Sequence, residues 1–289
     1  MNNHYRLSIP SKLCVCLGVI VFLTSAARAE TPPLGAAQVV DKNVVARGGA
    51  TAWGAIRSIS FVGKIDAGRT HPTPPGTVDS YSTGPSNLRP GQRRMMIAET
   101  PVKPEEVIAL PFRLELKRPR KSRLELDFAG DTAIQVYDGS AGWKVRPFMG
   151  RTTVESFSPA EIKIAASQQE LDGLLINAAA KGSQIRMEGM DSVNGVRAYK
   201  LRVALRDGDV RRVWVDAATF LDVKVDGIRD VGGRSRAMTT LLSDYRRIDG
   251  VMIPFKMETH GVGLKDAERI VVEKVVINAD LPDTRFAKP

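Results

Sequence analysis

Four long runs of the sequence alternate apolar and charged residues with a period of two. The runs are residues 113–117, 123–128, 199–206 and 221–226. Successive side chains of a β-strand point to opposite faces, so each run predicts a strand with one buried and one solvated face, as antiparallel sheets have. Tight turns are predicted between such runs at Asn194-Gly195, Asp207-Gly208 and Asp249-Gly250. By the same alternation we predict about ten or eleven strands in all.

Residues 41–58, ahead of the first predicted strand, have a helical pattern. Gly48-Gly49 interrupts the pattern, so the segment forms either one broken helix or two short helices. The residues predicted for its apolar side are Val44, Val45, Trp53 and Ile56. From residue 59 to 65 the period changes to two, which predicts a strand that follows the helix directly.

A second helical region is predicted to begin at Ser158. Ser158 and Glu161 have the spacing of a capping box, and Pro159 occupies the first turn, where its missing N–H is tolerated. The helical pattern continues, with a break, as far as Gly182. Helices at the front and in the middle of a long antiparallel sheet predict an α+β fold, in which helices lie against the open side of a large curved sheet.

Residues 67–92 differ in composition from the rest of the chain. They contain five prolines and four glycines with few large apolar side chains, so we predict a loop or insertion outside the sheet. The segment is interpreted either as a lid or as a mobile surface insertion without a role.

Residues 1–29 have the features of a cleaved signal peptide. A basic start and the apolar run 13–24 precede Ala27-Arg28-Ala29, which places small residues at the two positions read by signal peptidase. We predict cleavage after Ala29, a periplasmic location and a mature single domain of residues 30–289. The apolar run is shorter than the roughly 20 residues of a membrane-spanning helix, and we predict no such span in the mature chain.

Few residues point to catalysis or to metal binding. The two cysteines, Cys14 and Cys16, lie in the predicted leader. The mature chain keeps His71, within the proline-rich segment, and His260, which has no second ligand at a metal-binding spacing. We therefore predict a protein that is not an enzyme and that holds no metal and no cofactor.

The formal net charge of +10 favours anionic partners such as phospholipid headgroups, and export argues against nucleic acid. The densest basic feature is the predicted hairpin of residues 117–123. Its candidate docking residues are Arg118, Arg120, Lys121 and Arg123. The hairpin is interpreted either as a docking point for an acidic partner or lipid phosphate, or as a solvated turn whose charges and proline prevent edge-to-edge pairing.

Several sequence pieces, taken in order, resemble the outer-membrane lipoprotein-sorting-protein-like family of the LolA/LolB/RseB superfamily. The pieces are Gly48-Gly49 with Trp53, Ile56 and the strand to Gly63; residues 118–125; Tyr137-Asp138-Gly139 with Gly142-Trp143 and Pro147-Phe148; residues 170–173 with Leu175; residues 244–246 with Gly250 and residues 253–255; and residues 281–283 with Phe286. The resemblance covers nearly the whole mature chain. The proline-rich insertion departs from the family pattern.

The resemblance implies a half-open antiparallel β-barrel of about eleven strands, with helices lidding a hydrophobic cavity. It also implies binding of acyl chains, with no catalytic residues to transfer. The residues predicted to line the cavity are Trp53, Phe61, Leu116, Leu126, Trp143, Leu171, Leu174, Leu175, Leu201 and Val203.

Two functions follow from the sequence as hypotheses. In the first, a soluble periplasmic carrier binds acyl chains of lipids or lipoproteins in its cavity and transfers them toward the outer membrane. In the second, a periplasmic regulatory or sensor module binds a membrane-anchored partner protein through the basic hairpin or a sheet edge. The partners expected are therefore acyl chains and an inner- or outer-membrane protein.

Overall fold

The computed structural model describes residues 34–69, 107–128, 130–147, 151–168, 171–231, 234–261 and 267–289. The predicted leader, residues 1–29, lies outside these residues, as does the proline-rich segment from residue 70 onward. That segment does not begin at Ala67 as predicted, because the first strand continues through Arg69. Within the described ranges no helix is both long enough and apolar enough to span a membrane.

The described strands form one antiparallel sheet. In chain order they are β1 (Ser58–Arg69), β2 (Val107–Lys117), β3 (Lys121–Phe128), β4 (Asp131–Tyr137), β5 (Gly142–Arg146), β6 (Arg151–Ser156), β7 (Gln184–Val193), β8 (Val196–Ala204), β9 (Val210–Asp216), β10 (Asp222–Val231), β11 (Arg234–Ile248), β12 (Val251–Gly261) and β13 (Glu268–Ile277). The predicted strand count is wrong, because the described residues form thirteen strands. β5 and β6 have only five and six residues, too few to show a clear alternation.

The strand order makes the sheet open, with β6 and β7 at its two edges. Across the sheet the order is β6-β5-β4-β3-β2-β1-β13-β12-β11-β10-β9-β8-β7. The chain therefore leaves one edge after β6 and starts again at the other edge with β7. The connection, residues 157–183, has to cross one face of the sheet. It contains helix α3 (Pro159–Gln168) and, from residue 171 to 182, turns in place of the predicted helical continuation.

The N-terminal segment forms two helices, which decides between the two alternatives. They are α1 (Ala36–Ala46) and α2 (Ala50–Ala55), separated at Gly48 and Gly49, where φ is 108° and 93°. A Cβ on Gly48 would lie 2.4 Å from the carbonyl oxygen of Gly250, so only glycine lets the helix junction approach the turn between β11 and β12.

The predicted apolar side of the first helix is partly wrong. Val45 is 75% exposed, whereas Val39 and Asn43 are buried. The helix begins at Ala36, and residues four apart share one face, so the buried face follows Val39 and Asn43 and turns Val45 toward solvent.

The face of the sheet that carries Phe112, Leu114 and Leu116 is called the inner face, and it holds two hydrophobic clusters. The first packs Trp53, Ile56 and Leu171 against strands around β1, β2, β12 and β13. The second packs Val39 and Leu175 against strands β8 and β9. The helices and the crossing connection thus cover the inner face from both halves of the sheet.

The outer face of β2 to β5 is covered by residues 281–286, called the C-terminal tail. Leu281 and Phe286 pack there against Val136. The guanidinium group of Arg285 donates hydrogen bonds to Glu115 at 2.8 Å and to Glu125 at 3.2 Å. The charged residues that alternate with the inner apolar ones in β2 and β3 are therefore partly buried beneath the tail and paired with it.

Acid is expected to weaken the attachment of this tail. Hydrogen bonds from Lys117 and Lys121 lower the pKa of Asp283 to about 2. A carboxyl whose pKa falls on folding stabilises the folded state above its unfolded pKa, near 4, and the contribution is lost as the pH falls through about 2. Between those pH values the free energy of unfolding should fall more steeply for the wild type than for Asp283→Asn. Equal slopes in urea titrations of the two proteins would contradict this.

Candidate functional site: an apolar cavity on the inner face

An apolar cavity of about 630 Å³ lies between the inner face of the sheet and the crossing connection. Ligand sites commonly have volumes of roughly 300 to 1,000 Å³. The lining residues are Arg47, Trp53, Ile59, Phe61, Ile65, Phe112, Leu114, Leu116, Ser122, Leu124, Leu126, Gln135, Val136, Phe157, Glu161, Ile164, Ala165, Leu171, Gly173, Ile253, Pro254, Met257, Glu268, Ile270 and Val272. Most of them are aliphatic or aromatic, so the cavity suits an apolar ligand.

Strand register brings apolar residues of distant segments together on the sheet side of the cavity, which forms its floor. Phe61 pairs with Leu114, which in turn pairs with Leu124 on the next strand. On the other side of β1, Ile65 pairs with Ile270 of β13. Because directly paired residues point to the same face, these cross-strand rows place their side chains together under the crossing connection.

Helix α3 forms part of the opposite wall, through Ile164 and Ala165. Its predicted capping box is confirmed, because Ser158 N donates to Glu161 Oε2 at 2.8 Å and Glu161 N donates to Ser158 Oγ at 3.3 Å. Glu161 also accepts a 2.5 Å hydrogen bond from Lys144 of β5. Burial by itself would raise the pKa of Glu161, but the hydrogen bonds from Lys144 and Ser158 outweigh it and lower the pKa. The helix approaches both β5 and β10, and so reaches across the inner face.

A buried polar group, Arg47, stands at the cavity wall next to Trp53. Its Nη1 lies 3.0 Å from the carbonyl oxygen of Asp172 and 3.6 Å from Asp222 Oδ2, and its guanidinium lies over the Trp53 ring. Asn43 Nδ2 donates to the other oxygen of Asp222 at 2.9 Å. Burial raises the pKa of Asp222, and the charge of Arg47 opposes that shift. These contacts tie α1 to the crossing connection and to β10.

The buried position of Asp222 contradicts its predicted place on the wet face of its strand. It is 7% exposed, and the register with β9 shifts between Asp222 and Lys224. A β-bulge of this kind moves the residues on one side of it to the opposite face. The alternation of residues 221–226 therefore predicts the strand correctly, but it assigns Asp222 to the wrong face.

Asp172 fixes the crossing connection over the first cluster. Its carboxylate is buried and lies 2.5 Å from Lys181 Nζ and 3.4 Å from Arg118 Nη2. Arg118 Nε also donates to the carbonyl oxygen of Ile56, just after α2. One carboxylate thus links the turn between β2 and β3, helix α2 and residues 171–182.

Half of the residues predicted to line the cavity do line it. They are Trp53, Phe61, Leu116, Leu126 and Leu171. Leu175, Leu201 and Val203 lie instead in the second cluster under α1, and Leu174 lines a separate recess. The alternation identifies the inner face but not which half of it stays unfilled, so the role of all ten residues in ligand binding stays a prediction.

Trp143 lies on the other face of the sheet. It pairs with Val136, and both pack under the C-terminal tail with Leu281. Val136 in turn pairs with Arg123 of the outer face, so the register carries Trp143 away from the cavity.

Arg47 and Ile270 are two of the cavity residues that were not predicted from the sequence. A charged residue at the end of an apolar helix gives a signal, since burial requires a partner for it. Ile270 belongs to a short apolar run, and only the register of β13 with β1 assigns its side chain to the inner face.

Three of the four candidate docking residues of the basic hairpin are paired with acidic side chains. Arg118 is bound to α2 and Asp172, as described, Lys121 lies 2.9 Å from Asp283, and Arg123 Nε lies 2.6 Å from Glu125. Arg120 is exposed at the turn itself. Docking of a partner by the hairpin stays a prediction. The second interpretation, protection of a sheet edge, is wrong, because β2 and β3 are interior strands flanked by β1 and β4.

In the described part of the chain, no group of three or more His, Cys, Asp or Glu side chains is placed to hold a metal ion. His260 Nε2 lies 2.9 Å from Glu258 Oε1 on the surface of β12. His71 lies outside the described residues.

No protein-family model and no curated protein matches the sequence. Solved structures do match. A LolA superfamily protein from Nitrosomonas europaea is 15% identical, with 89% of this chain and 99% of that chain covered and a TM-score of 0.50. A DUF1329 family protein from Desulfovibrio piger is 13% identical, with 87% and 97% covered and a TM-score of 0.52.

A third structure is described as an outer membrane lipoprotein-sorting protein domain from Vibrio parahaemolyticus. It is 14% identical, with 88% of this chain and 96% of that chain covered and a TM-score of 0.51. At these identities the likeness concerns the fold. The described residues therefore have a LolA-like fold. The half-open barrel with lidding helices that the resemblance implied stays a prediction.

Proposed function

We propose that the protein binds acyl chains of lipids or lipoproteins in the inner-face cavity and carries them across the periplasm toward the outer membrane. The observation that carries the proposal is the cavity itself, with its floor of aligned aliphatic residues and its wall from α3. The lipoprotein-sorting role in the name of the Vibrio structure supports this ligand class. We further propose that the protein performs no catalysis.

The physical chemistry of the cavity suits a carrier. Burying an acyl chain of about 16 carbons at roughly 0.8 kcal/mol per methylene gives on the order of 12 kcal/mol of gross stabilisation, so binding needs no polar motif. Release requires a competing apolar surface. The crossing connection supplies one, since Ile164, Ala165 and Leu171 line the cavity and can close over the floor when the ligand leaves.

A pair of neighbouring residues in β13 provides the test. Ile270 lines the cavity, whereas Val271 is 43% exposed and points to the other face. Ile270→Trp fills the cavity and is expected to reduce acyl binding about tenfold or more, while Val271→Trp leaves it unchanged. Displacement of a fluorescent fatty acid measures the affinity, and native mass spectrometry of protein incubated with lipid vesicles identifies the bound species.

Thermal unfolding first establishes that both variants are folded. Equal acyl affinity of wild type and Ile270→Trp would show that the cavity is not the binding site, and a wild type that retains no lipid from vesicles would overturn the carrier function.

The same mass spectra give the mass of the polypeptide and so test the proposed location. A chain that begins at Glu30 after expression with export would support the proposed periplasmic location, and an intact Met1 would contradict it.

A further inference from the structure

Next to the apolar cavity lies a second recess, of about 660 Å³, with a basic lining. Its cationic residues are Arg120, Lys163, Lys181 and Arg206, and its acidic residue is Asp207. They come from the β2–β3 turn, from α3, from the crossing connection and from the β8–β9 turn. Elements from both halves of the sheet thus bring like charges together, which is unfavourable in the absence of an anion.

The recess has an excess of positive charge. Lys181 is bound to Asp172, but that carboxylate also faces Arg118, so one acid serves two cations. Lys163 and Arg206 are exposed and have no hydrogen-bond or ion-pair partner among the residues that the structure describes. Their donors are therefore available to a bound anion.

The basic recess adjoins the apolar cavity, and Gly173 lines both. On one side of it Leu171 faces the cavity, and on the other Leu174 faces the recess. Gly173 has φ of 77°, and a Cβ there would lie 2.9 Å from Arg47 Nη1. A side chain at residue 173 would therefore press against the buried guanidinium of Arg47, which lines the cavity on the same boundary.

We propose that the basic recess binds the phosphate group of an anionic phospholipid whose acyl chains occupy the cavity. The inference rests on the proposed function and adds a headgroup preference to it. Lysine and arginine donors bind phosphate oxygens through charge-assisted hydrogen bonds, and an amphiphile matches an apolar space that lies next to a cationic one. Lys163 approaches the headgroup from α3, and Arg206 approaches it from the β8–β9 turn.

The test is a competition within one membrane. Protein expressed from the full sequence is incubated with vesicles that contain equal amounts of phosphatidylglycerol and phosphatidylcholine with identical acyl chains. The vesicles are removed and the two bound lipids are quantified by mass spectrometry. Both lipids come from the same vesicle, so attraction of the protein to the membrane surface does not affect their ratio.

The wild type is expected to retain phosphatidylglycerol over phosphatidylcholine about tenfold at low salt, and Lys163→Gln/Arg206→Gln should bring the ratio near one with total lipid retained. Arg57→Gln/Lys274→Gln is the matched control, since both side chains are exposed elsewhere and the charge change is the same. It should keep the wild-type ratio.

Three results would overturn the inference. The first is an unchanged ratio in Lys163→Gln/Arg206→Gln, which would leave the carrier function intact. The second is an equal loss in the control variant, which would assign the preference to overall charge. The third is tight binding of inorganic phosphate alone to Ile270→Trp, which would make the recess an independent anion site. A wild type that retains neither lipid would overturn both proposals together.

Discussion

Replacing Arg47 with methionine is expected to lower the free energy of unfolding by about 3–5 kcal/mol, the range found when one partner of a buried ion pair is removed. Arg47 is 6% exposed, and its loss leaves Asp222 buried without its cationic partner. The hydrogen bond to the carbonyl oxygen of Asp172 is lost as well. Urea unfolding followed by circular dichroism measures the change.

The effect of Arg47→Met should depend on pH in a defined direction. Burial raises the pKa of Asp222 even beside Arg47, and without Arg47 the pKa rises further. A carboxyl with a raised folded pKa favours the folded state fully below its unfolded pKa, near 4, and that contribution is lost as the pH rises through the folded pKa. Relative to the wild type, the variant should therefore lose stability as the pH rises from the folded pKa of Asp222 in the wild type to its higher folded pKa in the variant.

Two further variants separate this ion pair from general effects of the substitution. Arg57→Met removes an exposed arginine ten residues away and should change stability by no more than about 0.5 kcal/mol. Adding Asp222→Asn to Arg47→Met removes the unpaired charge and should restore part of the loss. A decrease below about 1 kcal/mol for Arg47→Met would mean that solvent reaches Asp222.

Replacing Phe286 with alanine is expected to cost about 3–5 kcal/mol. The ring is 1% exposed and packs with Leu281 and Val136 on the outer face. Its removal leaves a space beneath the C-terminal tail, and the tail also carries Arg285, the partner of buried Glu115. Denaturant unfolding measures the loss, with Lys288→Ala, an exposed change two residues further on, as the control.

The Phe286 variant also separates stability from binding. The tail packs on the outer face, and of the residues that it packs against only Val136 also lines the cavity. The folded fraction of Phe286→Ala should therefore bind acyl chains with wild-type affinity. A loss of stability of less than about 1 kcal/mol would indicate that the tail is not held by this ring. Reduced acyl affinity in the folded variant would show that the two faces are coupled.

Much of the fold could be predicted from local patterns. The alternation of residues 113–117 and 199–206 predicted antiparallel strands with one buried face, and Ser158 with Glu161 predicted the start of α3. The break at Gly48-Gly49 was also located correctly. These features depend on residues within a few positions of one another, and a single sequence shows such relations directly.

The site could be predicted only in part, because its boundaries depend on contacts between distant segments. Leu116 and Leu201 have the same pattern along the chain, yet one lines the cavity and the other is covered by α1 and Leu175. The basic residues near Arg118 have the pattern of a solvated turn, but several of them are partly buried because they bind the C-terminal tail, more than 150 residues away.

The sequence by itself determined that the chain forms an antiparallel sheet with one apolar face, because side-chain alternation is a property of each strand alone. The tertiary structure decided where that face stays unfilled. β6 and β7 lie at opposite edges, so residues 157–183 must cross the inner face, and the register across β1 and β13 sets which side chains meet beneath them. Register and crossing arise from pairing between distant residues, and local periodicity carries no information about either.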